Sequence, residues 1–164
     1  MPSNPTIRPA TEADVPAVRR LLAETWHATY DAILGPDRVT DITNARHAIP
    51  VLRTQINEPN CAFLIAELAG AIVGHINTRE QPDHALYLGR LYVHPVSQRQ
   101  GIGQRLLDAA LTRHPTASRV WLTVAVDNGP AIAFYHRQGF HIVGEATEPD
   151  GHRVLRMERS MPTS

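Results

Sequence analysis

The chain has 164 residues, enough for one domain with a buried core, and we predict a single domain over residues 1–164. Sixteen basic residues balance sixteen acidic ones, so no overall charge attracts the chain to nucleic acid or to an anionic membrane. Cys61 is the only cysteine, which excludes an internal disulfide and a cysteine-built zinc site.

The sequence indicates neither a membrane span nor a metal cluster. No apolar run approaches the roughly 20 residues that a membrane helix needs. The first four residues, Met-Pro-Ser-Asn, lack the basic and apolar regions of a signal peptide. The nine histidines are scattered, without the His-x-x-x-His spacing of a metal site. We therefore expect a cytoplasmic protein without a resident metal, and neither nucleic acid nor a membrane as partner.

The N-terminal segment is predicted to form a strand and then a helix. Residues 7–9 suit a short strand, and residues 11–14 read Thr-Glu-Ala-Asp, a capping box with Thr11 as the N-cap. Apolar residues then recur at helical spacing, so the helix is predicted to reach about Tyr30.

A second helix is predicted from Ile49, Leu52 and Ile56, with Pro50 in its first turn. Between the two helices, residues 31–43 show no clear period. That stretch is predicted to be a loop or a broken helical turn.

The middle of the chain changes to a β-rich pattern. Cys61–Leu68 and residues 71–78 are predicted strands, and Ala69 and Gly70 suit the hairpin turn between them. A further strand is predicted for Ala85–Val93.

The last third alternates helices and strands. A helix is predicted from Ile102, and residues 120–126 alternate in the pattern of a central strand. Asn128 is predicted to cap another helix that ends at Gly139. A final pair of strands is predicted over residues 140–144 and 154–157, joined through residues 149–151. The element order predicts one α/β domain.

The segment between the third strand of the β-rich region and the helix at Ile102 is a candidate ligand-binding loop. Gln98-x-x-Gly101-x-Gly103 bares several backbone N–H groups at the positive end of a helix, an arrangement that suits phosphate. A dinucleotide-binding site is the rival interpretation. It fails because Leu106 holds the place of the third glycine and the strand lies in the middle of the chain.

Two segments together resemble the GNAT superfamily of acyl-CoA N-acyltransferases. The first is the Gln98–Gly103 loop with its leading strand. The second is Asn128-x-x-Ala131-x-x-Phe134-Tyr135-x-x-x-Gly139-Phe140, which lies about thirty residues later, again between a strand and a helix. The order of the predicted elements extends the resemblance over nearly the whole chain.

The resemblance implies a fold and an activity. The expected fold is a central mixed, mostly antiparallel sheet of about seven strands, splayed at the middle strands and flanked by about four helices. The expected activity is acetyl-CoA-dependent N-acetyl transfer, with acetyl-CoA as the acyl donor. Homodimers are common in the family and are therefore allowed here.

The resemblance also implies which residues hold acetyl-CoA, in two groups. The first group surrounds the glycine loop and comprises Leu91, Tyr92, Val93, Gln98, Arg99, Gln100, Gly101, Ile102, Gly103 and Gln104. The second group lies on the later helix and comprises Asn128, Ala131 and Tyr135. By the same resemblance, Tyr135 protonates the departing CoA thiolate, and a packing role is the alternative for its ring.

No general base is assigned from the sequence. Many relatives carry a glutamate near the position of Tyr87, where this chain offers no carboxylate. His75, Glu80, His84 and a water relay stay open as alternatives, and some amines need no strong base.

The acceptor is expected to be a primary amine of a small molecule that is polyamine-, amino acid- or antibiotic-like. Candidate lining residues on the first helix are Trp26, His27, Tyr30 and Asp31, although Trp26 suits core packing better. Arg153 and Arg156 suit an anionic acceptor or simple solvation. Two alternatives remain: acetylation of a protein N-terminus or lysine, and a non-catalytic acyl-CoA-binding regulatory domain.

Overall fold

The computed structural model describes residues 4–161. Residues 1–3 and 162–164 lie outside the described range. The two ends of the predicted domain therefore lie outside it, and so do most of the residues on which the signal-peptide prediction depends. Within residues 4–161 the chain forms seven strands and five α-helices: β1 Thr6–Pro9, α1 Val15–Leu34, α2 Pro36–Arg46, α3 Ile49–Ile56, β2 Cys61–Leu68, β3 Ala71–Gln81, β4 Ala85–Val93, α4 Ile102–Thr112, β5 Arg119–Ala125, α5 Gly129–Arg137, β6 His141–Thr147 and β7 Arg153–Ser160. No helix in that range is long and apolar enough to cross a membrane.

The strands follow the order β1-β2-β3-β4-β5-β7-β6 in one sheet. The sheet is mixed, because β4 and β5 run parallel whereas β7 pairs antiparallel with both β5 and β6. The parallel pairing covers only three residue pairs, Ala85–Tyr87 with Arg119–Trp121, and such a short ladder is expected of splayed middle strands. The predicted fold class is confirmed.

The chain groups into two compact units. The first contains residues up to Thr78 together with Arg90–Arg113, and the second contains Arg79–Gly89 and the residues from His114 onward. Strands β3 and β4 contribute to both units. The prediction of a single domain over residues 1–164 stays a prediction.

Helix α2 corrects the prediction of a loop or a broken helical turn over residues 31–43. Helix α1 continues to Leu34, Gly35 turns the backbone with φ of +87°, and Pro36 begins α2 at the position where a missing N–H is harmless. Only Val39 and Thr43, one turn apart, are buried on α2. Apart from the half-buried Ile42, its other residues are polar or exposed, so this helix shows no clear apolar period in the sequence.

The first unit is built around one apolar cluster. Val15, Val18 and Leu22 of α1 pack with Leu52 of α3 and with the buried face of β2. The capping box that opens this region is confirmed, because the Asp14 carboxylate accepts the Thr11 N–H at 2.8 Å.

Helix α4 packs closely on β3 of the first unit. A Cβ atom at Gly74 would lie 2.9 Å from Leu106 Cδ1 and 3.3 Å from Ile102 Cγ2. Glycine at this strand position therefore lets the helix that carries the glycine loop approach the sheet.

The second unit confirms two predicted helix ends. The Asn128 side chain accepts the Ala131 N–H at 3.3 Å, so it caps α5. At the other end Gly139 has φ of +90°, its N–H donates to His136 O, and the Phe140 N–H donates to Tyr135 O. These two bonds are a Schellman motif, which requires a left-handed residue at this position.

Candidate active site

The glycine loop adopts a left-handed backbone at two positions. Arg99 has φ of +66° and Gly101 has φ of +77°, so the backbone is left-handed on both sides of Gln100. The first bond of α4 runs from the Arg105 N–H to the Gly101 carbonyl at 3.1 Å. The N–H groups of residues 102–104 therefore precede it and have no acceptor within the helix. This geometry favours an anion at the start of α4.

The surroundings of the loop are exposed and basic. Residues 98–101 are exposed, as are Gln104 and Arg105. Arg99 and Arg105 form no ion pair with a carboxylate of residues 4–161, so both charges remain available to a phosphate. Ile102, by contrast, is 1 % exposed and packs as core, so only its backbone can face a ligand.

Side chains brace the approach to the loop. The Gln98 side-chain amide donates to the Val93 carbonyl at 2.9 Å, which closes the turn between β4 and the loop. His94 Nδ1 accepts the Val96 N–H at 3.3 Å, and its Nε2 lies 2.8 Å from Glu24 Oε2 of α1. Because Nδ1 accepts a hydrogen bond, Nε2 carries the ring hydrogen and donates it in a hydrogen bond to the Glu24 carboxylate.

Glu24 and His94 form a contact that the sequence did not predict. They stand 70 residues apart, and neither belongs to a recognisable motif. Their contact ties α1 to the start of the glycine loop within the first unit.

The second group of predicted residues lies on α5 in the second unit. Asn128 caps the helix, Ala131 donates its N–H to that cap, and Tyr135 follows one turn later with 8 % of its surface exposed. The Tyr135 ring packs against Phe140 and Phe134, with centroid distances of 5.5 and 5.4 Å. The predicted residues therefore fall into the same two groups as in the sequence, one per unit.

His75 is a structural histidine rather than an accessible base. It is fully buried, its Nδ1 donates to the Leu64 carbonyl at 2.9 Å, and its Nε2 accepts from Arg90 Nε at 3.2 Å. Burial, assisted by the Arg90 charge, holds the pKa of His75 well below its usual value. Both ring nitrogens are already used inside the fold.

The other two candidate bases also have structural contacts, both in the second unit. Glu80 Oε1 lies 3.1 Å from His114 Nδ1. The His84 carbonyl accepts the Ser118 N–H at 2.8 Å, at a turn where His84 has φ of +58°. Of the three, only His75 is withdrawn from solvent.

The predicted acceptor residues of α1 separate into two kinds. Trp26 and Tyr30 are buried and their rings lie 4.6 Å apart, which confirms the packing interpretation of Trp26. His27 and Asp31 are half-buried and stand one helical turn apart on α1, with His27 Nδ1 and Asp31 Oδ1 separated by 2.6 Å. The Thr40 hydroxyl lies 3.3 Å from His27 Nε2 and links this pair to α2.

Two buried histidines predict that acid destabilises the fold. Burial, and then the charges of Arg90, Arg46 and Arg19, lower the pKa of His47 from 6.5 to about 3. Below pH ~6.5 the unfolded chain binds protons that His47 and His75 cannot bind in the folded state, so the free energy of unfolding decreases as pH falls. His47 alone removes on the order of 2 kcal/mol between pH 7 and 5, and His75 acts in the same direction.

Urea unfolding at the two pH values measures this loss. The control is His141→Gln, which changes an exposed residue of β6. Its free energy of unfolding should depend on pH as that of the parent protein does. An unfolding free energy that stays constant between pH 7 and 5 contradicts the assignment of two neutral buried histidines.

The sequence matches known proteins over most of its length. Residues 17–140 match the sequence model of the Acetyltransferase (GNAT) family. A Mycobacterium tuberculosis protein named "Probable N-acetyltransferase" is 34% identical over 148 residues, which cover 87% of this chain and 83% of that protein. The Peptidyl-lysine N-acetyltransferase YiaC of Escherichia coli is 31% identical over 139 residues, 84% of each chain.

The fold has a close structural counterpart. The PaiA N-acetyltransferase of Thermoplasma acidophilum, solved in complex with coenzyme A, superposes with a TM-score of 0.86 at 21% identity, covering 97% of this chain and 100% of that one. The sequence matches and the shared fold agree with the glycine-loop geometry. The chain therefore belongs to the Acetyltransferase (GNAT) family and is an acetyl-CoA-dependent N-acetyltransferase.

Proposed function

We propose that the protein acetylates a primary amine of a small molecule, with acetyl-CoA as donor. The observation that carries the donor half is the glycine loop, where a left-handed turn precedes the N–H groups of residues 102–104. Arg99 and Arg105 lie beside these groups and form no ion pair with a carboxylate of residues 4–161. A diphosphate is the part of acetyl-CoA that such a loop binds best.

We assign the diphosphate to this loop and the pantetheine arm to the backbone of Leu91 and Val93, all in the first unit. Asn128, Ala131 and Tyr135 of the second unit stay the residues that the family resemblance implies for acetyl-CoA.

Acyl transfer removes one proton from the attacking nitrogen, to a base or to water, and supplies one proton to the departing sulfur. Attack of a neutral amine on the thioester carbonyl forms the C–N bond, breaks the C–S bond and releases a thiolate. We assign the protonation of that thiolate to the Tyr135 phenol, following the family resemblance. The partly desolvated setting of Tyr135, beside Phe140, suits a group that gives up its proton only at the reacting atom.

The base is assigned to no side chain. His75 is enclosed and bonded at both nitrogens, and Glu80 and His84 remain alternatives to a water relay. We place the protein in the cytoplasm and allow a homodimer, both as parts of the proposal.

Acetylation of lysine in a protein is the second candidate. It is favoured by the 31% identity to a peptidyl-lysine N-acetyltransferase of similar length. A thiol-release assay with acetyl-CoA separates the two candidates when it compares polyamines, amino acids, aminoglycosides and lysine-containing peptides. Turnover confined to free amines supports the proposal, and turnover confined to peptides replaces it with the second candidate.

Membership of the acetyltransferase family disfavours the non-catalytic acyl-CoA sensor that the sequence left open. A sensor predicts that acetyl-CoA raises the melting temperature while no amine is acetylated. If acetyl-CoA does not shift the melting temperature at all, donor binding itself is contradicted.

A further inference from the structure

Three side chains stack across one face of the sheet in the second unit. Tyr87 of β4 is the Cα partner of Trp121 of β5, and their ring centroids lie 4.5 Å apart. The Arg156 guanidinium carbon of β7 lies 4.0 Å from the centroid of the Trp121 ring. We call these residues the Tyr87–Trp121–Arg156 stack.

The stack lies on the face opposite to the apolar one. Val120, Leu122 and Val124 are buried, so the residues that alternate with them point to the other side. Trp121 is half-buried and Thr123 is exposed, and Arg156 is the Cα partner of Thr123. Cross-strand partners share a face, so the Arg156 side chain stands on this more open side.

The stack is held in position by a bond at one end. Trp121 Nε1 donates to Gln81 Oε1 at 3.0 Å, which fixes the rotation of the indole ring. A fixed ring under the guanidinium restrains Arg156 and reduces the entropy lost when it binds a ligand.

Arg156 has no carboxylate partner among residues 4–161, whereas its neighbours do. Arg119 pairs with Glu158 at 3.7 Å, and Arg153 pairs with Glu145. Arg156 is therefore half-buried with its guanidinium over a ring, and it forms no ion pair within residues 4–161. A planar fork of donors in that state is suited to bind a carboxylate through two parallel hydrogen bonds.

We propose that Arg156 of this stack binds a carboxylate on the acceptor, so that the preferred acceptors are small amines that also carry a carboxylate. This inference rests on the proposed function and narrows its substrate class. It makes Arg156 a specificity-determining residue, and it disfavours polyamines, whose second cation Arg156 repels.

Matched acceptors test the inference. Lysine, glycine and β-alanine are each compared with the corresponding amide, which keeps the amine and removes the negative charge. For the parent protein, kcat/KM should be about tenfold or more higher for the acids, because a charge-assisted bidentate pair is stronger than a hydrogen bond between neutral groups. In Arg156→Gln this preference should disappear, mainly through a higher KM for the acids, and Arg156→Lys should restore part of it.

Arg153→Gln is the matched control, because it removes the same charge from the same strand at an exposed ion pair. It should keep the preference for acids. If Arg156→Gln leaves the KM for acetyl-CoA unchanged, the lost preference reflects binding of the acceptor rather than of a donor phosphate. If the KM for acetyl-CoA rises in Arg156→Gln and the parent protein uses acids and amides equally, the inference is overturned.

The outcomes separate this inference from the proposed function. Turnover of polyamines or amides at least as fast as acids overturns the role of Arg156 and leaves acetyl transfer to small amines standing. Absence of turnover with every free amine overturns both.

Discussion

Replacement of Tyr135 by phenylalanine should lower kcat by about 100-fold, the lower end of what a positioned general acid contributes. The KM for acetyl-CoA should change little. The substitution removes only the phenolic hydroxyl and keeps the ring that packs 5.5 Å from Phe140, so the fold should be preserved. Steady-state thiol release with saturating amine measures both constants.

Phe134→Leu serves as the control for packing on the same helix. Phe134 also contacts the Tyr135 ring, but it has no proton to donate. That variant should lose some stability while its folded fraction keeps kcat within about twofold of the parent value. Unchanged kcat in Tyr135→Phe would refute the assignment of the acid.

Replacement of His75 by leucine should destabilise the protein by about 3 kcal/mol without lowering the kcat of the folded enzyme. The variant removes the hydrogen-bond donor to the Leu64 carbonyl and the acceptor for Arg90 Nε. Both of these buried polar groups then lose a hydrogen-bond partner. Arg90 also donates to Gln55 Oε1 at 2.6 Å, so the loss disturbs a polar network that joins α3 to the sheet of the first unit. Urea unfolding measures the change.

His84→Asn is the matched control, because asparagine tolerates the left-handed conformation that His84 adopts at an exposed turn. It should change stability by no more than about 0.5 kcal/mol. A His75→Leu variant of normal stability that loses turnover would instead identify His75 as the base.

Signals contained within a few residues were predictable from the sequence. The Asn128 cap, the left-handed Gly139 and the capping box at Thr11 each depend on contacts over three to five positions, and the structure confirms all three. The glycine loop is local in the same sense, because its conformation follows from Gly101 and from the helix start at Ile102. Such patterns carry their own physical explanation in the sequence.

Contacts between distant segments were not predictable in the same way. The Glu24–His94 bond and the network around Arg90 join residues far apart in the chain, and neither follows a periodic pattern. The stacking of Arg156 on Trp121 depends on the register of β5 with β7, which the sequence does not state. Helix α2 escaped prediction because only two of its residues are buried.

The central claim is that the glycine loop binds the diphosphate of acetyl-CoA. A negative charge introduced at position 104 tests this claim most directly. Gln104→Asp and Gln104→Asn introduce side chains of equal size at an exposed position in the first turn of α4. A carboxylate there favours the helix start, so stability should be maintained, but it repels a phosphate bound at the same N–H groups. In calorimetric titrations at low salt, the aspartate variant should bind acetyl-CoA at least about tenfold more weakly than the asparagine variant. Equal affinity of the two variants for acetyl-CoA would contradict the claim.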